Sequence, residues 1–269
     1  MKIYSLLLVK NEEDIIASVL RDTALWSDKV IVMDNGSKDK TWDIVMSVAA
    51  ELPQVIPYAQ DAQTFRIGLR SLMFNAFKNE MCKNDWWCIR LDADEFYKQN
   101  PKEFLAKVPF RYKQVYKASI DFFITPEDLD MNFEGSFTDD VDKIRYYQPK
   151  TWAEVRFLRH SKKLSWEIDK PKPAPCGLIY PIQIPVFHYQ FRSPQQMQNR
   201  YLIRQQARSE GCNTFKHEKG LSWRDYLKPR TDLYYYDPKS AIQTLGNRNK
   251  FNKPFNKYIK TILTFLRYY

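Results

Sequence analysis

Apolar positions in the first hundred residues follow two alternating rhythms. Residues 3–9 form an apolar run of strand length, the pattern of a strand covered on both faces. Residues 11–25 then read as a helix. Asn11 supplies the cap, Glu12, Glu13 and Asp14 fill the first turn, and Ile15, Ile16, Val19 and Leu20 make the stripe. Residues 29–34 are a second buried strand, Asn35-Gly36-Ser37 turns the chain, and 39–51 is a second helix. Residues 54–59 predict a short third strand, 65–81 a helix, and 86–91 a fourth strand that delivers Asp92. Units of this order and length imply an α/β fold: a mostly parallel, Rossmann-like sheet with right-handed crossovers and flanking helices.

Beyond Phe96 the rhythm loosens. Residues 114–125 predict a strand with Val115, Lys117, Ser119 and Asp121 alternating, and 153–159 and 178–189 predict two more. Residues 171–175 are a Pro-rich loop, and Ser193-Pro194-Gln195-Gln196 opens a return to helices. No internal repeat is present. The 269 residues are 44% apolar and 15% aromatic, enough for a packed core, and seven glycines exclude collagen-like or Gly-rich chains. The apolar run at 3–9 is too short for a secretion signal or a bilayer span, so a cytoplasmic protein is expected. Four cysteines without a CxxC pair point to free thiols rather than a zinc or redox site.

Charge divides the chain. Of the net +10, residues 191–269 contribute 16 Lys/Arg against 5 Asp/Glu, a net of +11, while residues 1–190 carry 26 against 27, a net of −1. We therefore expect two functional zones, an α/β unit over 1–190 and a basic, mainly helical extension over 191–269.

Ligands of parallel sheets bind beyond the carboxyl ends of the strands. Four polar clusters fall there: Lys10-Asn11-Glu12, Asp34-Asn35-Gly36-Ser37, residues 61–70, and Asp92-Ala93-Asp94-Glu95. The last puts three carboxylates within four residues, which is costly unless a cation joins them. Mg²⁺ or Mn²⁺, held by one or two carboxylates and substrate phosphates, meets that need; a solvated acidic turn is the alternative. In the second cluster Gly36 suits a positive φ and Ser37 or Asp39 can cap the next helix, leaving Asp34 to accept hydrogen bonds from a base or ribose.

Taken in order, Val9-Lys10-Asn11-Glu12-Glu13, Met33-Asp34-Asn35-Gly36-Ser37 with Asp39, and Leu91-Asp92-Ala93-Asp94-Glu95-Phe96 resemble the N-terminal half of a family-2 type glycosyltransferase with the GT-A fold. The resemblance covers roughly residues 1–100. It implies a nucleotide-diphosphate sugar as donor and a divalent metal, with inversion at the transferred sugar. Val9, Asn11, Glu12 and Asp34 would hold the base and ribose, Asp92 would lie near the ribose and the metal, and Asp94 would ligate the metal. Arg66 or Arg70 would neutralise phosphate. Gly68-Leu69-Arg70 and Asn75 are spaced differently from the family's usual Arg-Asn pair and glycine.

A base must deprotonate the acceptor hydroxyl. Glu127 and Asp128 echo the family's acidic pair, although Thr125-Pro126-Glu127-Asp128 also reads as an ordinary capped turn; Glu167 and Asp169 are rivals. His188 ends a predicted strand, where related enzymes place a metal-side histidine, and Arg192 is positioned to close over phosphates. His160 and His217 look like surface. From residue 238 onward there are seven Lys/Arg and no acid, and 254–269 reads as a basic amphipathic helix with Arg267 on its polar side and Tyr269 on its apolar side, suited to an anionic membrane and a lipid-linked acceptor. The implied role is bacterial surface polysaccharide or lipopolysaccharide synthesis on a glycan or lipid-linked acceptor. Two other readings compete: a nucleic-acid-binding protein using Tyr234, Tyr235, Tyr236 and the basic tail, which leaves the acidic strand ends unexplained, and a sugar nucleotidyltransferase, which lacks its Gly-rich loop.

Overall fold

The computed structural model describes residues 1–150, 153–209, 221–243, 254–266 and 268. Cys212, His217, Arg267 and Tyr269 lie outside the described residues. In chain order the elements are β1 (Ile3–Val9), α1 (Ile16–Ala24), β2 (Lys29–Asp34), α2 (Thr41–Glu51), β3 (Val55–Gln60), α3 (Arg70–Phe77), β4 (Trp86–Leu91), β5 (Glu95–Tyr97), α4 (Pro101–Ala106) and β6 (Tyr112–Phe123). They continue as α5 (Phe137–Asp140), β7 (Tyr146–Pro149), β8 (Val155–Arg159), β9 (Leu178–Ile179), β10 (Ile184–His188), α6 (Pro194–Ser209), β11 (Tyr234–Tyr235) and α7 (Pro254–Phe265).

The sheet runs β11-β7-β6-β8-β4-β1-β2-β3, with β10 paired to β5 and β6, and β9 paired to β6. The four predicted strands form a parallel block in which β1 lies between β2 and β4 and β3 follows β2, and β9 and β10 also run parallel to β6. Beyond β4 the sheet continues through the antiparallel strands β8, β6 and β7. Chain order reverses between β1 and β4, because β2 and β3 extend one way and α3 returns the chain to the other side. Such a switch point opens a crevice at the carboxyl ends of the two strands.

Strict alternation along the buried strands feeds two cores. Ile3, Leu7, Val9, Val30, Val32, Trp86 and Cys88 face α1 and α2, where Ile16, Val19, Leu20, Val45 and Val48 cover them. Tyr4, Leu6, Leu8, Ile31, Met33 and Trp87 face the opposite way against Leu69, Met73 and Phe74 of the α3 region. The Phe74 and Trp87 ring centroids are 4.7 Å apart. Residues 161–176 lie over α3, where Asn75 donates to the Trp166 carbonyl at 2.9 Å.

Three local expectations need correction. The first helix starts at Ile16, without a side-chain cap. Asn11 instead adopts φ 52° and laces two loops together: its amide donates to Ser37 Oγ and its Oδ1 accepts from the Lys38 amide, both at 2.8 Å. The strand expected over 178–189 splits into β9 and β10. His160 is buried rather than superficial, its Nδ1 accepting from Trp87 Nε1 at 3.1 Å. Elsewhere the turn chemistry reads true: Gly36 has φ 76° and lies so close to Ala62 that a Cβ would sit 2.7 Å from it. Cys82, Cys88 and Cys176 are free thiols. Among the described residues no helix is long and apolar enough to cross a membrane.

Candidate active site

Three strands deliver the acidic groups. β4 ends at Leu91, so Asp92 and Asp94 leave the carboxyl edge beside β1. β10 aligns His188 with Glu95 on one side and with Asp121 of β6 on the other. The register therefore fixes a chain of groups. His188 Nε2 is 3.3 Å from Asp94 Oδ2, and its Nδ1 is 3.0 Å from Asp121 Oδ1. Asp121 is itself held by Ser119 Oγ at 2.8 Å and Gln190 Nε2 at 3.0 Å. Burial works against a charged imidazole, but the two carboxylates outweigh it and raise His188 to about 10. Burial likewise opposes ionisation of Asp94, yet His188 and then Arg200 hold it well below the usual carboxylate range.

Arg200, on α6, donates to Asp94 Oδ2 at 3.2 Å. Just before that helix, Arg192 is buried and forks onto Asp14 at 2.7 and 2.8 Å and onto Glu12 at 2.5 Å. Burial raises Glu12 despite Arg192, and the neighbouring Asp94 adds to the rise. The loop after β1, the acidic turn after β4 and the start of α6 thus share one electrostatic cluster.

Asp92 belongs to a different neighbourhood. Its Oδ1 accepts from Arg70 at 2.8 Å, and its Oδ2 from Arg156 at 3.1 Å with Arg90 at 3.6 Å. Burial alone would raise Asp92; Arg90, Arg156 and Arg70 instead keep it far below its ordinary value. Arg156 has no exposed side-chain surface, and its charge survives burial because Glu95, Asp92 and Glu154 surround it. Lys117 also pairs with Glu95.

Asp94 and His188 could hold a divalent cation only with the Nε2 proton displaced, because the two carboxylates otherwise keep the ring charged. A histidine whose Nδ1–H is taken by a carboxylate turns Nε2 toward a metal, and a hard cation needs only one or two protein ligands when phosphates complete its shell. Among the described residues no three His, Cys, Asp or Glu side chains converge as a closed metal site. Asp92 is less suited to ligation, because guanidinium groups occupy both of its oxygens.

The sequence profile of glycosyl transferase family 2 matches residues 6–154, more than half of the chain. The chain belongs to that family. An uncharacterized glycosyltransferase of Rickettsia typhi is 35% identical over 94 residues, which cover 35% of this chain and 28% of the relative. The match thus spans little more than a quarter of that protein's length. Among solved structures, the mannosyltransferase PcManGT from Pyrobaculum calidifontis, in complex with GDP-Man and Mn²⁺, is 14% identical with a TM-score of 0.31, covering 46% of this chain and 35% of that one. So slight a likeness leaves the fold of this chain to be read from its own topology.

The remaining expected site residues are distributed unevenly over the chain. Val9 ends β1 and its carbonyl accepts from the Asn35 amide at 2.8 Å. Asp34 is fully buried and closes its own turn, accepting from the Ser37 amide at 2.7 Å; its other oxygen meets Gln60 at 3.5 Å. Arg70 reaches Asp92, with burial pulling it down to about 10, whereas Arg66 is exposed on the preceding loop. Asp128 is buried and tied to Thr125 at 2.8 Å and Arg230 at 2.5 Å, so the capped-turn reading accounts for it. Glu127 is exposed, 4.0 Å from Arg230. Glu167 and Asp169 are exposed on the loop over α3, and Asp169 pairs with Lys170 at 2.9 Å. Arg156, Arg200 and Asp121 escaped sequence reasoning as site residues. A charge inside the apolar run of β8 was the available signal for Arg156; the alternation of β6 placed Asp121 without marking its role.

Proposed function

We propose that this glycosyltransferase moves a sugar from a nucleoside-diphosphate sugar to a hydroxyl of a glycan or lipid-linked acceptor, with inversion and with Mn²⁺ or Mg²⁺ bound at Asp94 and His188. A role in bacterial surface polysaccharide or lipopolysaccharide synthesis fits that chemistry. The observation that supports it most is the Asp94–His188–Asp121 chain at the β1/β4 switch point. When bound, the cation neutralises charge developing on the leaving diphosphate.

The chain's own residues do the rest. Asp121 fixes the ring of His188. Glu12 and Asn11, on the loop after β1, and Asp34, the last residue of β2, are the groups proposed to hold a base and ribose. Arg70 and Arg200 already sit on Asp92 and Asp94, and each has a buried Nε without a hydrogen-bond partner, so a diphosphate oxygen can recruit them. In the reaction the acceptor oxygen bonds to the anomeric carbon as that carbon's bond to the diphosphate breaks. The hydroxyl proton passes to a carboxylate, and the nucleoside diphosphate leaves with the electron pair. We assign the proton to Glu127, the least encumbered of the four candidates Glu127, Asp128, Glu167 and Asp169. Polar contact with Thr125 and the charge of Arg230 hold Glu127 below its ordinary value, so it is ionised at neutral pH.

The test is hydrolysis across a panel of nucleotide sugars, with Mn²⁺ and after chelation. Wild type should hydrolyse one donor only with metal, and Asp94→Ala should lose turnover while keeping its far-UV circular dichroism. Undiminished turnover by Asp94→Ala would refute the metal role.

A further inference from the structure

The last described helix is turned inside out. Along α7, Phe255, Tyr258, Ile259, Ile262 and Phe265 follow helical spacing, and Leu266 extends the same stripe. All six stand in solvent, Phe265 at 80%, Phe255 at 73% and Leu266 at 71% exposure. The buried position is polar Thr264, with Lys260, Thr261 and one apolar residue, Leu263, half-buried beside it. A helix that packed onto the enzyme for stability would present the opposite face. An exposed apolar stripe of this size marks a surface that something else covers.

Charge says what covers it. The helix lies beside β9. Lys163 sits 4.9 Å from the Tyr268 ring centroid, and Lys172 and Lys260 both act on the Cys176 thiol, so the 161–176 loop adjoins the helix. Lys163 and Lys172 lie beside the helix, and Lys260 and exposed Lys257 are on it. A protein partner's apolar groove would satisfy the stripe and leave the lysines; a nucleic acid would do the reverse. Anionic headgroups above an acyl boundary satisfy both.

We propose that α7 seats the protein on an anionic lipid bilayer, its apolar stripe at the acyl boundary and the lysines among the headgroup phosphates. β9 pairs with the start of β6, at Tyr112 and Gln114, whereas Asp121 lies toward the other end of that strand. At about 3.3 Å per residue, docking holds the candidate active site roughly 23–30 Å from the seated end. The inference does not depend on the transfer reaction.

The test is sedimentation of the full chain with vesicles of phosphatidylcholine alone or mixed with phosphatidylglycerol. Wild type should bind the mixed vesicles and be released by high salt. The double variant I262D/F265D, altered only at exposed positions, should bind roughly tenfold more weakly or worse, with circular dichroism and donor hydrolysis unchanged. Equal binding by variant and wild type, equal binding to neutral vesicles, or binding to neither would overturn the proposal. So would a wild-type dimer that the double variant abolishes, since the stripe would then belong to a second copy. Donor hydrolysis measured on the same samples tests the transferase reading separately.

Discussion

At the scale of single residues, the acidic turn announces itself and its partners do not. Asp92, Asp94 and Glu95 are neighbours in the chain, so like charge crowds visibly in the sequence. The groups that make that crowding tolerable arrive from elsewhere: Arg70 from α3, Arg156 from β8, His188 from β10 and Arg200 from α6. Only the strand register brings them in, and no spacing rule encodes it. The same register gives Asp121 a role that sequence reasoning missed, as the group that orients His188. It touches His188 rather than the proposed cation, so it is a positioning residue. Asp121→Asn keeps one acceptor oxygen, where Ser119 donates, but removes the charge that holds Nδ1–H and turns an NH2 toward Gln190. Outer carboxylates of this kind are worth about 10- to 100-fold in metal affinity. Mn²⁺ binding followed by electron paramagnetic resonance should therefore weaken by about that factor, with thermal stability nearly unchanged. A variant that melts far lower but binds Mn²⁺ normally would make Asp121 a purely structural anchor.

Secondary-structure elements follow a similar division. β1, β2 and β4 were legible because strands buried on both faces write continuous apolar runs. The start of α1 was not, because Asn11 spends its side chain on Lys38 across the loop rather than on its own helix. The cover over α3 was equally hidden: residues 161–176 carry no strong period, and their position depends on one close approach. A Cβ at Gly68 would lie 2.1 Å from the Ile168 carbonyl oxygen and 2.8 Å from that of Lys170. Both obstacles are backbone, so neither can swing aside as a side chain would. Gly68→Ala must push the loop off α3, straining the Asn75 bond to Trp166 and the contact of Trp166 with Phe74, whose ring centroids are 5.8 Å apart. Overpacking of this kind costs about 1–3 kcal/mol. Differential scanning calorimetry should show Tm lowered by several degrees, and limited proteolysis should cut faster within 161–176. An unchanged Tm would mean that the loop is not seated on α3 as described.

For the whole molecule, the step in charge at residue 190 suggested two zones, and the contacts that cross it decide how they behave. Arg192 holds Glu12 and Asp14, Arg200 holds Asp94, and Arg230 holds Asp128. Lys228 donates to Gln148 at 2.6 Å, and Tyr236 packs edge-on to Phe122 at 5.4 Å. Phe191, Met197 and Trp223 belong to the same core as Val9 and Leu91. A chain ending at residue 190 would leave Glu12, Asp14 and Asp94 without their guanidinium groups, and removing one partner of a buried pair costs about 3–5 kcal/mol. Two such losses approach the whole stability of an ordinary domain, roughly 5–15 kcal/mol. The basic zone is thus expected to be a structural part of the catalytic unit as far as residue 243, while α7, which hides little apolar surface, should be dispensable for folding. Urea titrations of three chains separate these cases. The full chain and a chain ending at residue 253 should each unfold in one cooperative transition at nearly the same midpoint, whereas the 1–190 chain should lack a native near-UV signal. A 1–190 chain that unfolds cooperatively near the wild-type midpoint would show that the acidic edge holds together without the arginines.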